Sequence, residues 1–461
     1  MDDSSGAPPR RSRRHWLART GGGFGLLALT DLLAAQPDSV RPPRIPARAK
    51  RVIFLYMPGG PSHVDLFDPK PRLIQDNGKA LPFEKPKLER TKTGNLLASP
   101  WRFSSFGQSG TPVSELLPRI AERVDDICVI RSMVADNINH SGAALQMCTG
   151  EQAFSRPSMG SWLTYGLGTE NQNLPGFIVV SPAAVFQGAQ LWASSFLPSA
   201  YQGTLIRDLS RPIANLQDPS GDPERQRAKL DALHQLNDIH KRDRVIDGEL
   251  DARISSFELA FRMQREAPEA FDLSRESVET RSLYGIDQPA TELFGRQCLL
   301  ARRLAERGVR FIQLFDAPRN NAWDHHSGLR EDLPKRCAAV DQPIAGLLTD
   351  LKSRGLLEDT LVLWGGEFGR TPTAEGTNGR EHHPFGFTMW MAGGGIRGGH
   401  VHGATDEFGW HATVDRVHVH DLHATILHLM GFDHTKLTYR FGGRDYRLTD
   451  VYGNVVRSIL A

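Results

Sequence analysis

Residues 356–387 hold the densest group of side chains that could do chemistry in this 461-residue chain. A short apolar run there ends at two glycines, and Glu367, Arg370 and the pair His382 and His383 follow. A buried strand that ends in glycine and presents a carboxylate at its tip is typical of active sites in open α/β sheets. Oxygen and nitrogen ligands gathered at such a tip suit a divalent metal. The alternative is that Glu367 caps a helix and the two histidines lie in a solvated loop.

A second group of candidate ligands follows another predicted strand. Residues 309–315 are largely apolar, and the loop beyond them carries Asp324 and His326. An Asp-x-His spacing on a loop after a strand is a metal-ligand spacing. The metal ligands that the two stretches favour are therefore Asp324, His326, Glu367 and His382.

The first strand of the folded region is predicted at residues 51–57, and the loop after it is rich in polar groups. Glycines let the backbone turn sharply at this point, and Ser62, His63 and Asp65 follow. We expect His63 and Asp65 to complete the site. The competing interpretation is a tight turn in which Asp65 caps a helix.

A helix is predicted to start near Ser141, because polar residues precede a run of small and apolar ones. The free N–H groups at a helix start favour an anion. The imidazole of His140 or the hydroxyl of Ser141 would then be well placed to meet a phosphate or a sulfate. The alternative is that Ser141 is only the N-cap of the helix.

Strands and helices alternate along the chain in an order that builds a mainly parallel sheet covered on both faces. Strands are predicted at 127–130, 175–181, 361–364 and 387–392, and helices at 118–126, 293–307, 340–354 and 421–430. Residues 224–267 are highly charged with helical periodicity. We therefore expect a helical insertion at about 182–284 within an α/β domain that covers residues 51–461.

Residues 1–36 match a twin-arginine export signal. They contain S-R-R-H-W-L at 12–17 and then a moderately apolar segment that ends in small residues. That segment is too short and too rich in glycine for a stable transmembrane span; a disordered basic tail is the alternative. Residues 37–50 are interpreted as a linker. The protein is thus expected in the periplasm or outside the cell, with the twin-arginine translocase as a partner.

The composition excludes some classes of protein. The formal net charge is +2, and no basic stripe with interleaved aromatic residues points to nucleic acid. The cysteines are widely spaced and form no C-x-x-C, so buried free thiols are expected although disulfides are permitted outside the cytoplasm. The tail is rich in histidine, and most of these histidines are expected to be surface or structural residues.

Several sequence blocks together resemble one bacterial family. They run from about residue 52 to the end and include M-P-G-G-P-S-H-x-D, R-P-S-M-G-S-W, W-D-H-H, E-F-G-R-T-P, G-R-E-H-H-P, A-G-G-G-I-R-G-G and T-D-E-F-G. The family is domain of unknown function 1501, a sulfatase-like branch of the alkaline phosphatase superfamily. Residues 359–364 resemble the D-T-L-V strand before the superfamily's Asp-His metal pair, and residues 420–427 resemble the D-L-x-P-T-L-L helix of sulfatases. The resemblance implies a three-layer alkaline-phosphatase-like fold and a divalent-metal hydrolase of phosphate or sulfate esters.

The chain departs from the superfamily pattern at the site. Two glycines stand where the first strand usually ends in Asp, Glu367-Phe368 stands in place of Asp-His, and the C-x-P-S-R signature is absent. The resemblance implies one metal rather than two. Ala-Ala-Leu at 143–145 and Thr-Gly at 149–150 resemble the helix that starts at the sulfatase nucleophile. Alignment on Ala-Ala-Leu puts Ser141 at the nucleophile position, whereas alignment on Thr-Gly puts His140 there. We favour His140 as the functional side chain and Ser141 as the cap.

Two hypotheses follow from the sequence. The first is an exported metal-dependent hydrolase of a small anionic ester or a sulfated polysaccharide, with Zn, Ca, Mg or Mn as its cofactor. Arg370 would hold the anion with its planar fork of donors. The full set of candidate residues is His140, Ser141 and Arg370 for catalysis, and Asp324, His326, Glu367, His382, His63 and Asp65 for the metal. The second is a non-catalytic protein whose degenerate pocket binds an anionic glycan or a surface partner.

Overall fold

The computed structural model describes residues 45–84, 94–210, 212, 222–242 and 248–461. The export signal predicted at 1–36 and most of the predicted linker lie outside these residues. Within the described ranges, no helix is both long enough and apolar enough to cross a membrane.

The described strands are short, and most of them belong to one central sheet. Their bounds are β1 Arg51–Tyr56, β2 Phe103–Phe106, β3 Thr111–Ser114, β4 Ile127–Val134, β5 Phe177–Val180, β6 Thr204–Ile206, β7 Phe311–Phe315, β8 Thr360–Gly365, β9 Gly369–Arg370, β10 His382–His383, β11 Phe387–Ala392, β12 His400–His402, β13 Ala404–Thr405, β14 Ala412–Val414, β15 Val417–His418, β16 Tyr439–Phe441 and β17 Arg444–Tyr446.

The central sheet has nine strands in the order β12-β4-β11-β8-β1-β7-β5-β6, with β15 beside β4. Among the described residues, its pairings are parallel except for those of β11 with β4 and with β8. Strands β1, β4, β7 and β8 therefore run the same way, and their carboxyl ends meet at one edge of the sheet. The prediction of an α/β fold with a mainly parallel sheet is confirmed.

Helices lie between the strands and after them. Their bounds are α1 His63–Leu66, α2 Pro71–Gln75, α3 Pro118–Ala121, α4 His140–Thr149, α5 Met159–Leu167, α6 Pro223–Arg242, α7 Gly248–Phe271, α8 Val278–Leu283, α9 Glu292–Glu306, α10 Leu329–Ser353 and α11 Val419–Leu429. Helices α6 and α7 fall inside the predicted insertion. Single 3₁₀ turns lie at Val124–Asp126, Gly188–Trp192, Ser199–Tyr201, Leu273–Arg275 and Arg457–Ile459.

The sheet is the middle of three layers. On one face, Ile53 of β1 belongs to an apolar cluster with Leu299 of α9 and with buried residues of α10. On the other face, Phe54 belongs to a cluster with Trp162 of α5 and with residues of α4 and α11. Every residue of β1 is buried, which is why this strand is a continuous apolar run and not an alternating one.

Several elements differ from the prediction. Strand β6 falls within the predicted helical insertion but pairs with β5 in the central sheet. Helix α10 begins at Leu329, eleven residues before the predicted start at 340, and contains Pro334 and Pro343. A proline removes one helical hydrogen bond, but buried apolar residues such as Leu333 and Leu347 keep the helix packed on the sheet. The helix predicted at 118–126 is instead divided into α3 and a 3₁₀ turn.

Candidate metal centre

Several chain segments deliver polar side chains to the edge of the sheet where the parallel strands end. The loop after β7 carries Asp324 and His326, and Glu367 follows β8. The chain leaving β4 begins α4 with His140 as its first residue. Strand β10 contains His382 and precedes β11, which runs in the opposite direction and so begins at this same edge.

Three imidazole rings surround the carboxylate of Asp324. The Nε2 atom of His140 lies 3.1 Å from Asp324 Oδ2. The Nε2 atoms of His326 and His382 lie 3.0 Å and 3.4 Å from Asp324 Oδ1. The four ligand atoms all lie within 4.8 Å of one another. Metal–ligand bonds of about 2.0–2.2 Å from one central ion reach ligand atoms spaced in this way.

The second ring nitrogen of each histidine is held by a protein acceptor. The Nδ1 acceptors are Glu367 Oε1 for His140 at 2.6 Å, the Ile138 carbonyl for His382 at 2.7 Å, and Glu375 for His326. Carbonyl and carboxylate oxygens accept, so each Nδ1 carries the proton and each neutral ring presents a lone pair at Nε2. The Nε2 atoms of His326 and His382 lie 3.0 Å apart, a separation that two lone pairs tolerate when a cation lies between them. Metal-binding histidines typically donate their other N–H in this manner.

The pKa shifts follow from burial and from these contacts. Burial disfavours the charged form of His140, but its bonds to Asp324 and Glu367 outweigh that effect and raise its pKa. The bond to Asp324 raises the pKa of His326, whereas burial lowers the pKa of His382 to about 4. Burial also works against the ionised form of Asp324, yet its histidine bonds hold the pKa of that carboxyl well below its usual range. The centre therefore keeps an anion and at least one neutral imidazole at neutral pH.

The residues fit a bound divalent transition metal. The buried Nε2 atom of His140 lies 3.1 Å from Asp324 Oδ2 without the alignment of a hydrogen bond, so with the proton on Nδ1 its lone pair is available as a ligand. Imidazole nitrogens suit Zn²⁺ and related ions, whereas Ca²⁺ and Mg²⁺ prefer oxygen ligands. Three nitrogens and one carboxylate oxygen make a donor set that suits Zn²⁺ and related ions.

Glu367 lies behind His140 and outside the group of converging ligand atoms. Its Oε1 accepts the Gly59 N–H at 2.9 Å as well as the His140 proton, and its Oε2 accepts the Tyr56 hydroxyl at 3.0 Å. Burial alone would raise the pKa of this carboxyl, but the bond to His140 keeps it below its ordinary value. The structure thus places this predicted ligand as the group that orients His140.

Arg370 is fully buried and turned toward protein groups. Its Nε donates to the Gly60 carbonyl at 3.0 Å and its Nη1 to the Arg380 carbonyl at 3.1 Å. Its Nη2 donates to Asp324 Oδ1 at 2.6 Å and to the Gly59 carbonyl. Because every guanidinium nitrogen has a protein acceptor, this placement suits a residue that fixes Asp324 and not one that holds a substrate anion.

Two further predicted ligands are engaged elsewhere. Asp65 forms a buried ion pair with Arg380 at 2.7 Å and accepts the Ser62 hydroxyl at 2.6 Å. His63 Nε2 donates to the Gly409 carbonyl at 2.8 Å. Neither residue belongs to the group of converging ligand atoms. Both instead fix the segment after β1 against distant parts of the chain.

The start of α4 differs by one residue from the prediction. The helix begins at His140 and its N-cap is Asn139. Ser141 is the second helical residue and is half-buried, so the prediction that it caps the helix is wrong. Of the two alternatives at this position, the structure brings His140 into the cluster.

Some contributing groups escaped the sequence analysis. Glu375 and the carbonyl of Ile138 hold two of the imidazoles. The ring of Phe186, which is 42% exposed, lies nearly parallel to the His140 ring at 5.6 Å. Glu375 lies in the polar loop between the E-F-G-R-T-P and G-R-E-H-H-P blocks and belongs to neither, and a backbone carbonyl is not marked by any residue type.

One glycine permits the close backbone approach on which the centre depends. Gly59 has a φ of +113°, a region that L side chains rarely adopt. A Cβ atom at this position would also lie 2.5 Å from the backbone nitrogen of Asp324. The first of the two glycines that stand where Asp was expected therefore lets the Asp324 loop pack against the end of β1. The second, Gly60, has a φ of +80° and packs against Phe368.

Solved structures of a lipoteichoic acid synthase, a sulfatase and an alkaline phosphatase are similar to this chain at low identity. The lipoteichoic acid synthase LtaP from Listeria monocytogenes is 10% identical, with 89% of this chain and 78% of that chain covered and a TM-score of 0.36. The PsFucS1 sulfatase from Pseudoalteromonas sp. is 14% identical, with 90% and 72% covered and a TM-score of 0.34. The alkaline phosphatase from the Antarctic bacterium TAB5 is 11% identical, with 77% and 92% covered and a TM-score of 0.33.

No curated protein matches the sequence significantly. A family model described as Protein of unknown function (DUF1501) matches residues 49–460 and agrees with the resemblance carried by the sequence blocks. The chain belongs to this family.

Proposed function

We propose that the protein is a metal-dependent hydrolase of sulfate or phosphate esters. The observation that carries the proposal is the convergence of three imidazole Nε2 atoms on the Asp324 carboxylate, with each Nδ1 held by an acceptor. When bound there, a divalent metal supplies Lewis-acid polarisation of an ester oxygen and activation of water. A small anionic ester or a sulfated polysaccharide is the substrate class that this chemistry serves.

Zn²⁺ or Mn²⁺ suits the centre better than Ca²⁺ or Mg²⁺. The hard cations take oxygen ligands and Mg²⁺ keeps several waters, whereas nitrogen donors outnumber oxygen donors in this group. Residues His140, His326 and His382 would hold the ion together with Asp324. Arg370 keeps Asp324 oriented by its 2.6 Å contact.

The first turn of α4 provides donors for an anionic substrate. The N-cap Asn139 makes no side-chain hydrogen bond to the helix, so the first N–H groups are open to other acceptors. Helix N-termini favour phosphate and sulfate oxygens. Because His140 is the first residue of this ten-residue helix, the donors stand beside the metal ligands.

Water is the proposed nucleophile. All four cysteines are buried and free, as predicted for the thiols. Burial raises the pKa of the Cys128 and Cys148 thiols to about 12, and a thiol in that state is a poor nucleophile. Ser141, the remaining predicted nucleophile, is the half-buried second residue of α4, and hydrolysis by a metal-activated water does not require it.

The test is hydrolysis of two chromogenic esters, p-nitrophenyl phosphate and p-nitrophenyl sulfate, by purified protein before and after removal of metal with a chelator. We expect turnover of at least one ester, its loss on chelation, and its recovery when Zn²⁺ or Mn²⁺ is restored. The Asp324→Ala variant should stay inactive after metal is restored. Full metal loading without turnover of either ester would contradict the hydrolase and support a non-catalytic binding protein.

Export by the twin-arginine route is a further part of the proposal. The pair Arg13 and Arg14 within residues 1–36 supports it, although this segment lies outside the described residues. The double variant Arg13→Lys with Arg14→Lys should leave the protein in the cytoplasm. Arrival of that variant in the periplasm at the wild-type level would exclude the twin-arginine route.

A further inference from the structure

A second cavity, with a volume of about 820 Å³, opens around the far end of α4. Its walls come from the segment after β4, the end of α4, the start of α11 and residues 450–454. Helix α4 rises about 1.5 Å per residue, so its length separates this cavity from the metal centre at His140. We call this cavity the α4–α11 groove; its size is that of a site for a drug-sized ligand.

The wall of the α4–α11 groove is rich in hydrogen-bond acceptors. Carboxylates line it at four positions, and no lysine or arginine lies among the lining residues that the structure describes. The lining carboxylates are Asp136, Glu151, Asp421 and Asp450. Contacts with His418, Arg156 and Arg444 offset part of this negative charge, and the wall keeps carboxylate lone pairs for further donors. It favours a ligand that donates hydrogen bonds.

His420 adds an acceptor that has no protein partner. The side chain lines the groove and is only 5% exposed. Its Nε2 donates to the Gly150 carbonyl at 2.9 Å, so the neutral ring carries a lone pair at Nδ1. Within the described ranges, no group hydrogen-bonds that Nδ1 atom. A buried acceptor that is left unpaired is costly. This atom is itself covered in the structure, so the direct contribution of His420 to the groove is the ring that supports Tyr452.

Tyr452 supplies an aromatic surface in the same wall. Its side chain is 61% exposed. The ring lies parallel to the His420 ring, with centroids 5.1 Å apart and 9° between the planes. The stack with His420 fixes one face, and the exposed area leaves the ring open to solvent. A fixed, exposed aromatic ring beside polar acceptors is an amphipathic surface that suits a ligand with one apolar face and several hydroxyls.

We propose that the α4–α11 groove binds an uncharged carbohydrate chain. One sugar ring would lie on Tyr452, and its hydroxyls would donate to the carboxylates of Asp136 and Glu151. Amide groups of Gln152 and Asn454 in the same wall can donate and accept in turn. The inference is independent of the proposed hydrolase, because it uses none of the metal ligands.

The experiment measures binding of three neutral hexasaccharides, built from glucose, mannose and N-acetylglucosamine, to the metal-free protein by saturation-transfer NMR and calorimetry. At least one should bind, and Tyr452→Ala should weaken it by about tenfold or more, in line with the loss of one aromatic anchor. Tyr452→Phe should retain most of the affinity because the ring face remains. Phe257→Ala is the matched control, since this ring is 54% exposed on α7 and plays no part in the groove.

Three outcomes would overturn the carbohydrate assignment. One is that none of the hexasaccharides binds at millimolar concentration. Another is equal binding by wild type and Tyr452→Ala. The third is preferential binding of the polyamine spermidine or of dextran sulfate over every neutral chain. The measurement uses metal-free protein and no ester, so absence of carbohydrate binding would not count against the hydrolase proposal. Absence of ester hydrolysis would likewise not count against carbohydrate binding.

Discussion

Histidines occur in two contrasting surroundings in this molecule. At the metal centre, His140 and His326 each contact the Asp324 carboxylate through Nε2 and a glutamate through Nδ1. In the interior beside them, His63 and His383 stack with ring centroids 6.0 Å apart and donate to backbone carbonyls. The pKa values of the first pair are raised by their carboxylate partners, whereas burial lowers those of the second pair.

The contrast shows that a carboxylate near the second ring nitrogen, and not histidine density or burial, separates a candidate ligand from a core residue. His382 follows this rule, because its Nδ1 donates to the Ile138 carbonyl but its Nε2 lies 3.4 Å from Asp324 Oδ1. A nearby carboxylate stabilises positive charge at the imidazole or on a bound cation, whereas a ring that only donates to a backbone carbonyl stays neutral and inert. His423 belongs to the second kind: it is fully buried, donates to the Met147 carbonyl at 2.8 Å, and has its pKa lowered by burial to about 3.

Removal of the Asp324 carboxylate should give the largest loss of metal affinity. We expect Asp324→Ala to lose metal affinity by more than about a hundredfold, because even residues that only support ligands contribute tenfold to hundredfold. Metal content by mass spectrometry, with circular dichroism to verify folding, measures this. His423→Gln serves as the control and should keep its metal. Unchanged metal stoichiometry in Asp324→Ala would remove this residue from the centre.

Removal of a supporting carboxylate should give an intermediate effect. Glu367→Gln and Glu375→Gln each replace the anion that orients an imidazole, so we expect metal affinity to fall by about tenfold to a hundredfold. Competition with a chromogenic chelator gives the affinity. Glu151→Gln, distant from the centre at the end of α4, should bind metal as the wild type does. Affinities within twofold of wild type for both centre variants would show that these contacts do not support the ligands.

The candidate metal ligands could be named from the sequence because each one lies near or beyond the end of a strand. Asp324, His326 and His382 combine ligand chemistry with a place at the carboxyl edge of the sheet, and His140 starts the helix after β4. Parallel topology brings such positions together whatever the details of the loops. Most strands of the sheet could also be predicted from the sequence, because strands that are buried on both faces form continuous apolar runs.

A position after a strand end did not indicate the partners of His63 and Asp65. They too follow a strand end, but Arg380 and the Gly409 carbonyl, each more than 300 positions away in sequence, engage them. No local pattern specifies partners at that separation. The inward turn of Arg370 is equally invisible, because its acceptors are mainly backbone carbonyls.

The last prediction concerns a core histidine and the pH dependence of folding. The unfolded chain binds a proton at His423 near pH 6.5, whereas the folded pKa is about 3. Stability is therefore lost as the pH falls from about 6.5 toward 3, by up to about 1.4 kcal/mol per pH unit from this residue. His423→Gln should reduce the slope of unfolding free energy against pH by that amount. Urea unfolding of both proteins at matched pH values measures it, and identical slopes would refute the assignment.

X-ray absorption spectroscopy of the purified wild-type protein shows directly whether the three imidazoles and Asp324 form one metal site. We expect one transition-metal ion per chain, with three imidazole nitrogens and one carboxylate oxygen among its ligands at about 2.0–2.2 Å. A protein that retains no metal after incubation with Zn²⁺ or Mn²⁺, or an ion surrounded by oxygen ligands alone, would contradict this expectation.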